Sequence, residues 1–332
     1  MQAGQKAVHD PASHDLDVSH RGQYRGVEQV SPIGSRTFHH ESRKVDARRK
    51  GVNFSNVRYL IINSDDFGLT PAVSRGILEG HAAGVITSTS VMVTTPGWED
   101  ARERLRDSSI DIGLHLNLGL GLPLTPARTL VNPKTGHFAS VGGLSLWALA
   151  RRIDPEDVAA ECRAQLELLR SVGRPVTHID SHWHLHTLPG IWASVLAVAR
   201  EQGVPWLRSP GIPRSRRVLR AMFPFTLMGV ASLWRRSTNP RLPDHFTGFM
   251  MNGARQFEQG VLERLDEVPP GVTEFMVHAG YDEPALATLD PYTWEREKEL
   301  AALMSPAVRA RLARGDLTLT HFGAVETDIF PA

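Results

Sequence analysis

The sequence predicts an α/β chain whose strands close into a (β/α) barrel. From Val57 onward, short apolar runs alternate with helical patterns, which implies right-handed βαβ crossovers and a parallel sheet. Polar residues collect at the C-terminal ends of at least four runs, at Asp65/Asp66, His115, Asp180/His182 and His278. A barrel brings many strand ends to one centre, whereas an open sheet gathers its site at one crevice. No phosphate-binding glycine loop argues for the open form, since "GLGLP" at 119–123 lacks the G-x-G-x-x-G spacing and a following helix.

The elements follow in order. "VRYLIINS" (57–64) reads as a buried parallel strand, and Thr70-Pro71 then opens a helix with Thr as N-cap and Pro in the first turn. Strand patterns recur at 85–93, 110–118, 176–182, 205–209, 273–280 and 317–322, with helices at 96–107, 154–172 and 189–202 between them. The same start signature stands at Asp154-Pro155, Asp290-Pro291 and Ser305-Pro306.

Bulk properties bound the function. With 332 residues, 41% apolar and 22% charged, the chain suits one large α/β domain plus extensions. A net charge of +1 gives no reason to expect nucleic acid. Cys162 is the only cysteine, which excludes an internal disulfide and a cysteine-rich zinc site and fits a cytoplasmic location. No apolar stretch is long enough to span a bilayer. Residues 1–56 hold few branched aliphatics and read as a disordered extension, despite His9, His14, His20, His39 and His40. A single barrel domain is expected over 57–325, with a lid-like insertion at about 211–245 and a tail at 326–332. Residues 211–243 carry seven arginines and no acid around an apolar run. They read as a lid on the barrel rim or as a peripheral membrane contact.

The chemistry concentrates in "THIDSHWHLH" (177–186), where His178, Asp180, His182, His184 and His186 fall on alternate positions. In an extended strand these share one face, a row of candidate metal ligands. "NSDDFGL" (63–69) adds adjacent carboxylates, Asp65 and Asp66, at a strand end. A bend at Phe67-Gly68 would let both approach one centre, one binding a cation and the other free to act as a base. With His115 and His182 this makes a two-histidine, one-carboxylate set, which leaves coordination positions open for water and substrate.

"NSDDFG", "TSTSVMV", "IGLHLNL", "THIDSHWHLH", "EFMVHAGY" and "LTLTHF" resemble, in order, the motifs of the YdjC-like carbohydrate deacetylases over about residues 57–322. The group includes chitooligosaccharide deacetylases and deacetylases of hopanoid glycolipid synthesis. The resemblance implies a distorted TIM-like barrel, one divalent metal ion and hydrolysis of an N-acetyl group from an amino sugar. By motif position it implies Asp66, His115 and His182 as metal ligands and Asp65 as general base. This chain has His278-Ala279-Gly280 where the family usually has His-Pro-Gly, and Asn63-Ser64-Asp65-Asp66 where Asn-Ala-Asp-Asp is usual.

Amide hydrolysis also needs an acid for the leaving amine, and His278 is the candidate. Arg208 is expected to orient Asp65 or bind a sugar oxygen. His184 and His186 are expected to support the metal ligands or touch the sugar, and Tyr281 to bind substrate. Trp147, Trp183 and Trp206 offer sugar-stacking faces or core packing. Two histidines and an aspartate suit zinc, manganese, cobalt or iron, and magnesium where waters complete its shell. The rival readings are a metal-dependent phosphoesterase on the same barrel and a non-catalytic sugar-binding protein. A homodimer is compatible with either.

Overall fold

The computed structural model describes residues 56–209, 239–248 and 256–329. The expected N-terminal extension, most of the insertion with its membrane contact, and residues 330–332 of the tail lie outside the described residues.

The chain runs β1 (Arg58–Phe67), α1 (Pro71–Ala82), β2 (Ser88–Val91), α2 (Trp98–Asp107), β3 (Asp111–Leu116), α3 (Val141–Leu149), α4 (Pro155–Arg170) and β4 (Val176–Ser181). It continues through α5 (Ile191–Glu201), β5 (Trp206–Leu207), β6 (His245–Thr247), α6 (Phe257–Asp266) and β7 (Gly271–Val277). It closes with α7 (Glu295–Met304), α8 (Pro306–Leu312), β8 (Thr318–Thr320) and α9 (Phe322–Ile329). Three of the expected caps form: the side chains of Thr70, Asp154 and Ser305 accept the backbone N–H of Val73, Glu156 and Val308. Asp290-Pro291 does not open a helix directly. Its carboxylate accepts Tyr292 N at 2.6 Å and the helix starts at Glu295.

The sheet has the order β5-β4-β3-β2-β1-β7-β6, with β8 also on β1, and each pairing is parallel. It is strongly curled. In a flat sheet β5 and β7, five intervals apart, would lie about 24 Å from each other at the usual strand spacing. Yet Arg208, just past β5, donates from Nε to Glu274 on β7 at 2.8 Å. Only a sheet folded round into a half-barrel permits that contact. Arg241 bridges to Trp206 of β5 four residues before its own chain pairs with β7 as β6, so one segment links the two edges. The sequence did not suggest β6, since three half-buried residues are too short for a pattern.

Strand alternation sorts the residues into two environments. Leu60, Ile62, Ile112, Leu114, Ile179, Leu207, Phe275 and Val277 point outward into the main core beneath the helices. Tyr59, Ile61, Trp206 and Val272 point inward and form a separate apolar floor, closed by Phe322 and Val325 of α9. Trp206, 1% exposed, is therefore core and not a sugar platform. Above that floor the inward residues turn polar. The ring of His178 stacks on Phe322 at 4.1 Å, and its Nε2 lies 3.2 Å from Ser90 Oγ. Burial pushes its pKa down to about 4, so it stays neutral. Facing it, β3 has Gly113.

A Cβ at Gly113 would lie 2.3 Å from the His178 ring. The ring is pinned by its stacking and hydrogen bonds, so Gly113→Ala should destabilise the protein by about 1–3 kcal/mol, the usual penalty of overpacking. Thermal denaturation reads this, and an unchanged Tm would show that the barrel interior yields at His178.

Candidate metal centre

At the end of β1 two successive aspartates aim at one place because the backbone changes hand between them. Both belong to β1, but Asp66 has φ +69°, in the left-handed region. The β1–β2 register breaks between Ser64 and Phe67 accordingly. The bend thus begins one residue earlier than the expected Phe67-Gly68. A left-handed residue costs about 1–2 kcal/mol, and aspartate is among the few non-glycine residues that visit this region. Gly68 follows at φ +93°, where a Cβ would sit 2.5 Å from Met92 O.

Asp66 Oδ1 lies 3.1 Å from His115 Nε2 and 3.0 Å from His182 Nδ1. All three residues are buried, and their donor atoms form a group able to hold a metal ion. The spacing suits this: adjacent ligands bound at about 2.1 Å, the usual metal–nitrogen or –oxygen length, are separated by about 3 Å. The outer nitrogens support the same reading. His115 Nδ1 donates to Asp180 Oδ1 at 2.8 Å, which leaves Nε2 for the centre. His182 Nε2 is buried without a hydrogen bond, and Asp290 Oδ2 is the nearby carboxylate, at 3.5 Å. Each histidine thus has a carboxylate behind it, hydrogen-bonded for His115 and at 3.5 Å without a hydrogen bond for His182.

The charges are tightly balanced. Burial alone would raise the pKa of Asp66, but Arg296, His182 and His115 hold it well below the ordinary carboxylate value. Arg296 donates to Asp66 Oδ2 at 2.8 Å. Burial would lower the His115 pKa, yet Asp180, Asp65 and Asp66 around it hold it up to about 10.

Asp65 stands beside this group without joining the Asp66–His115–His182 set. Arg208 grips it bidentately, Nη1 to Oδ2 at 2.7 Å and Nη2 to Oδ1 at 2.6 Å. Asn63 Nδ2 adds a third donor to Oδ1 at 3.0 Å. Arg208 also touches Asp180 Oδ2 at 2.6 Å and Glu274 Oε1 at 2.7 Å. It is fully buried among these carboxylates, with both Nη atoms on Asp65. Burial pushes the Glu274 carboxyl up to about 7 against the pull of Arg208.

The expected row of ligands along "THIDSHWHLH" ends at Ser181. Residues His182–Thr187 form a 3₁₀ turn, kinked at Trp183 (φ +51°) and His184 (φ +54°). Only His178 and Asp180 share the strand face, and His178 lies deep in the barrel. His186 is a clamp: Nδ1 meets Ser181 Oγ at 2.6 Å, and Nε2 donates to Arg208 O at 2.9 Å. It thereby fixes the backbone that carries Arg208. His184 is buried near Phe246, ring centroids 6.0 Å apart. Trp183 lies on the His182 ring at 4.0 Å, and Trp147 packs against the core.

His278 follows β7, and the next residue, Ala279, donates its N–H to Ser64 Oγ beside Asp65. The His278 ring meets Tyr292 edge-on at 5.3 Å and is half-buried. Tyr281 is directed elsewhere: its hydroxyl donates to Glu79 on α1 at 2.5 Å and Arg75 covers its ring. Sequence reasoning missed Asp290, Arg296 and Glu274 as site residues. A glutamate inside the apolar run "TEFMV" was a readable signal, whereas Arg296 in "WEREKEL" looks like any surface charge. Asp290 looked like a helix cap.

The model of the YdjC-like protein family matches residues 59–314. A carbohydrate deacetylase of Vibrio parahaemolyticus is 32% identical over 269 residues, covering 80% of this chain and 96% of that protein. A carbohydrate deacetylase of Mus musculus is 33% identical over 308 residues, covering 80% of this chain and 94% of that one. A crystal structure from Enterococcus faecalis V583, of a protein provisionally described as a cellobiose-phosphate cleavage protein, superposes with a TM-score of 0.64. It shares 29% identity and covers 81% of this chain and 99% of that one. With its barrel, its paired aspartates and two carboxylate-backed histidines, the chain belongs to the family of YdjC-like proteins.

Proposed function

We propose that this protein is a metal-dependent carbohydrate deacetylase that hydrolyses the N-acetyl group of an amino sugar, chitooligosaccharide-like or glycolipid-linked. The observation that carries the reading is that Asp66 groups with His115 and His182 while its neighbour Asp65 is gripped bidentately by Arg208. The carbohydrate deacetylases among its relatives support the substrate class. The catalytic domain is read as residues 57–325.

Asp66, His115 and His182 would hold the ion. A divalent ion there supplies Lewis-acid polarisation of the acetyl carbonyl and lowers the pKa of water. Asp65, oriented by Arg208, takes the proton from the attacking water. The new C–O bond forms first, making the carbonyl carbon tetrahedral, and the C–N bond then breaks, releasing acetate and a free amine. His278, half-buried at the end of β7, delivers the proton that the leaving nitrogen requires. Arg208 keeps Asp65 in one orientation with both its oxygens engaged from one side. Asp180 fixes the His115 ring, and Asp290 stands 3.5 Å behind that of His182.

His115→Ala and His182→Ala should each lose bound metal together with acetate release. Elemental analysis of the purified variants decides this, and full stoichiometric metal in either one excludes it as a ligand.

The two aspartates should separate. Asp65→Asn is nearly isosteric and should keep metal while turnover falls by about 10²–10⁴, the usual worth of general acid–base catalysis. Asp66→Asn should bind metal more weakly, and excess metal should partly restore its turnover. A metal titration with acetate release from N-acetylated chitooligosaccharides, run beside a phosphate-release assay, gives the answer. Rescue of Asp65→Asn by metal, with none for Asp66→Asn, reverses the roles.

Asp290→Asn should weaken metal affinity by about 10–100-fold, the usual effect of losing a carboxylate behind a metal-bound histidine. Calorimetric titration with Zn²⁺ measures it, and native affinity would show that His182 needs no such support.

A further inference from the structure

β7 ends at Val277, and the residues that follow leave the hydrogen-bonded ladder. Contacts from other elements fix their backbone instead. His278 N donates to Glu299 Oε2 at 2.6 Å, and Ala279 N donates to Ser64 Oγ at 3.2 Å. Tyr281 N donates to Ala72 O at 3.3 Å. Among the described residues no group hydrogen-bonds the His278 imidazole, so its direction depends on this backbone and on the Tyr292 ring beside it.

Tyr292 is itself held at both ends by α7. Its carbonyl accepts Arg296 Nε at 2.7 Å, and its hydroxyl donates to Glu299 Oε1. Burial and the Glu299 carboxylate push the tyrosine pKa well above its usual value, so the hydroxyl stays a donor. Glu299 therefore has one oxygen on the backbone of His278 and the other on the ring that His278 meets edge-on at 5.3 Å, a favourable aromatic geometry. Arg296 stands three residues earlier on the same side of α7 and donates to Asp66 Oδ2 at 2.8 Å. One turn of α7 thus reaches both halves of the site: Arg296 the candidate ligand, Glu299 the candidate acid.

Glu299 is fully buried, and among the described residues no lysine, arginine or histidine forms an ion pair with it. Glutamate is almost never fully buried unless paired, because a carboxylate taken out of water is costly. An apolar residue would fill the space without that cost. What the carboxylate adds is two acceptor oxygens, and these serve His278 and the ring beside it.

We propose that Glu299 is a positioning residue for deacetylation: it fixes the backbone of His278 and, through Tyr292, the imidazole that protonates the leaving nitrogen. This rests on the reading of His278 as the acid. As the C–N bond breaks, its electron pair stays on nitrogen, which receives the proton from His278. Glu299 neither gives nor takes a proton in that step.

A double-mutant cycle, read as kcat for acetate release from N-acetylated chitooligosaccharides at saturating Zn²⁺, tests the coupling. Glu299→Ala should lower kcat on the order of 10–100-fold, the scale of a misplaced catalytic group, with little change in KM. Glu299→Gln keeps an acceptor for His278 N and offers its amide N–H to the Tyr292 oxygen, so it should recover most of the turnover. In a His278→Ala background Glu299→Ala should add no further loss, because both act on one proton transfer, whereas independent effects would multiply. Tyr292→Phe removes only the hydroxyl, should lower kcat by less than Glu299→Ala, and reads the same cycle should Glu299→Ala not fold. Zn²⁺ affinity by calorimetric titration should stay native in Glu299→Ala and Glu299→Gln, since Arg296 and not Glu299 holds Asp66. Multiplying losses, equal losses in the Ala and Gln variants, or weakened Zn²⁺ binding overturns the proposal. Native turnover in Glu299→Ala with loss in His278→Ala sinks the positioning role alone. Native turnover in His278→Ala sinks the acid reading beneath it.

Discussion

Arg208 is a cation with no access to water, and much of the molecule is arranged so that it can exist. Its guanidinium meets Asp65 from β1, Asp180 from β4 and Glu274 from β7. An unpaired buried charge is prohibitively expensive, so these strands cannot separate without stranding it. Such a network adds little stability relative to a well-packed apolar core, but breaking one partner costs several kcal/mol. Its value here is geometric. It holds the sheet in its curl, and it leaves Asp65 a single orientation.

The same economy of contacts builds the centre above it. Asp180 accepts from His115 through Oδ1 and meets Arg208 through Oδ2, so one carboxylate links His115 of the candidate centre to the arginine that holds Asp65. Ser90 donates to that Oδ2 at 2.6 Å while lying beside the neutral His178. Polar contacts thus run from the candidate ligands down to the apolar floor. A protonated His178 would bring a second cation next to Arg208, and burial against Phe322 prevents it.

Asp65 and Asp66 are neighbours with opposite surroundings, and a single backbone angle divides them. Positive φ at Asp66 turns its carboxylate toward His115, His182 and Arg296, while Asp65 stays on the inward face of β1 with Arg208. Local strain of this kind persists where the surrounding contacts over-determine the conformation. Here those contacts are the two histidines and a fully buried arginine from α7.

The sequence by itself determined seven of the eight strands in their succession, three of the helix starts and the residues that end strands β1, β3, β4 and β7. Those signals are local: apolar runs, capping residues and polar residues at run ends depend on neighbours a few positions away. It also identified Asp65, Asp66, His115 and His182 as a group, because strand ends in a parallel barrel must face one side. Only the tertiary structure decided that Arg208 serves Asp65, that Asp290 and Arg296 stand behind the centre, and that Tyr281 pairs with Glu79. It also decided that "HWHLH" coils into a 3₁₀ turn rather than extending as strand. Each of these depends on partners from 108 to 230 residues away, or on a backbone hand that an L-residue adopts only under the force of such contacts.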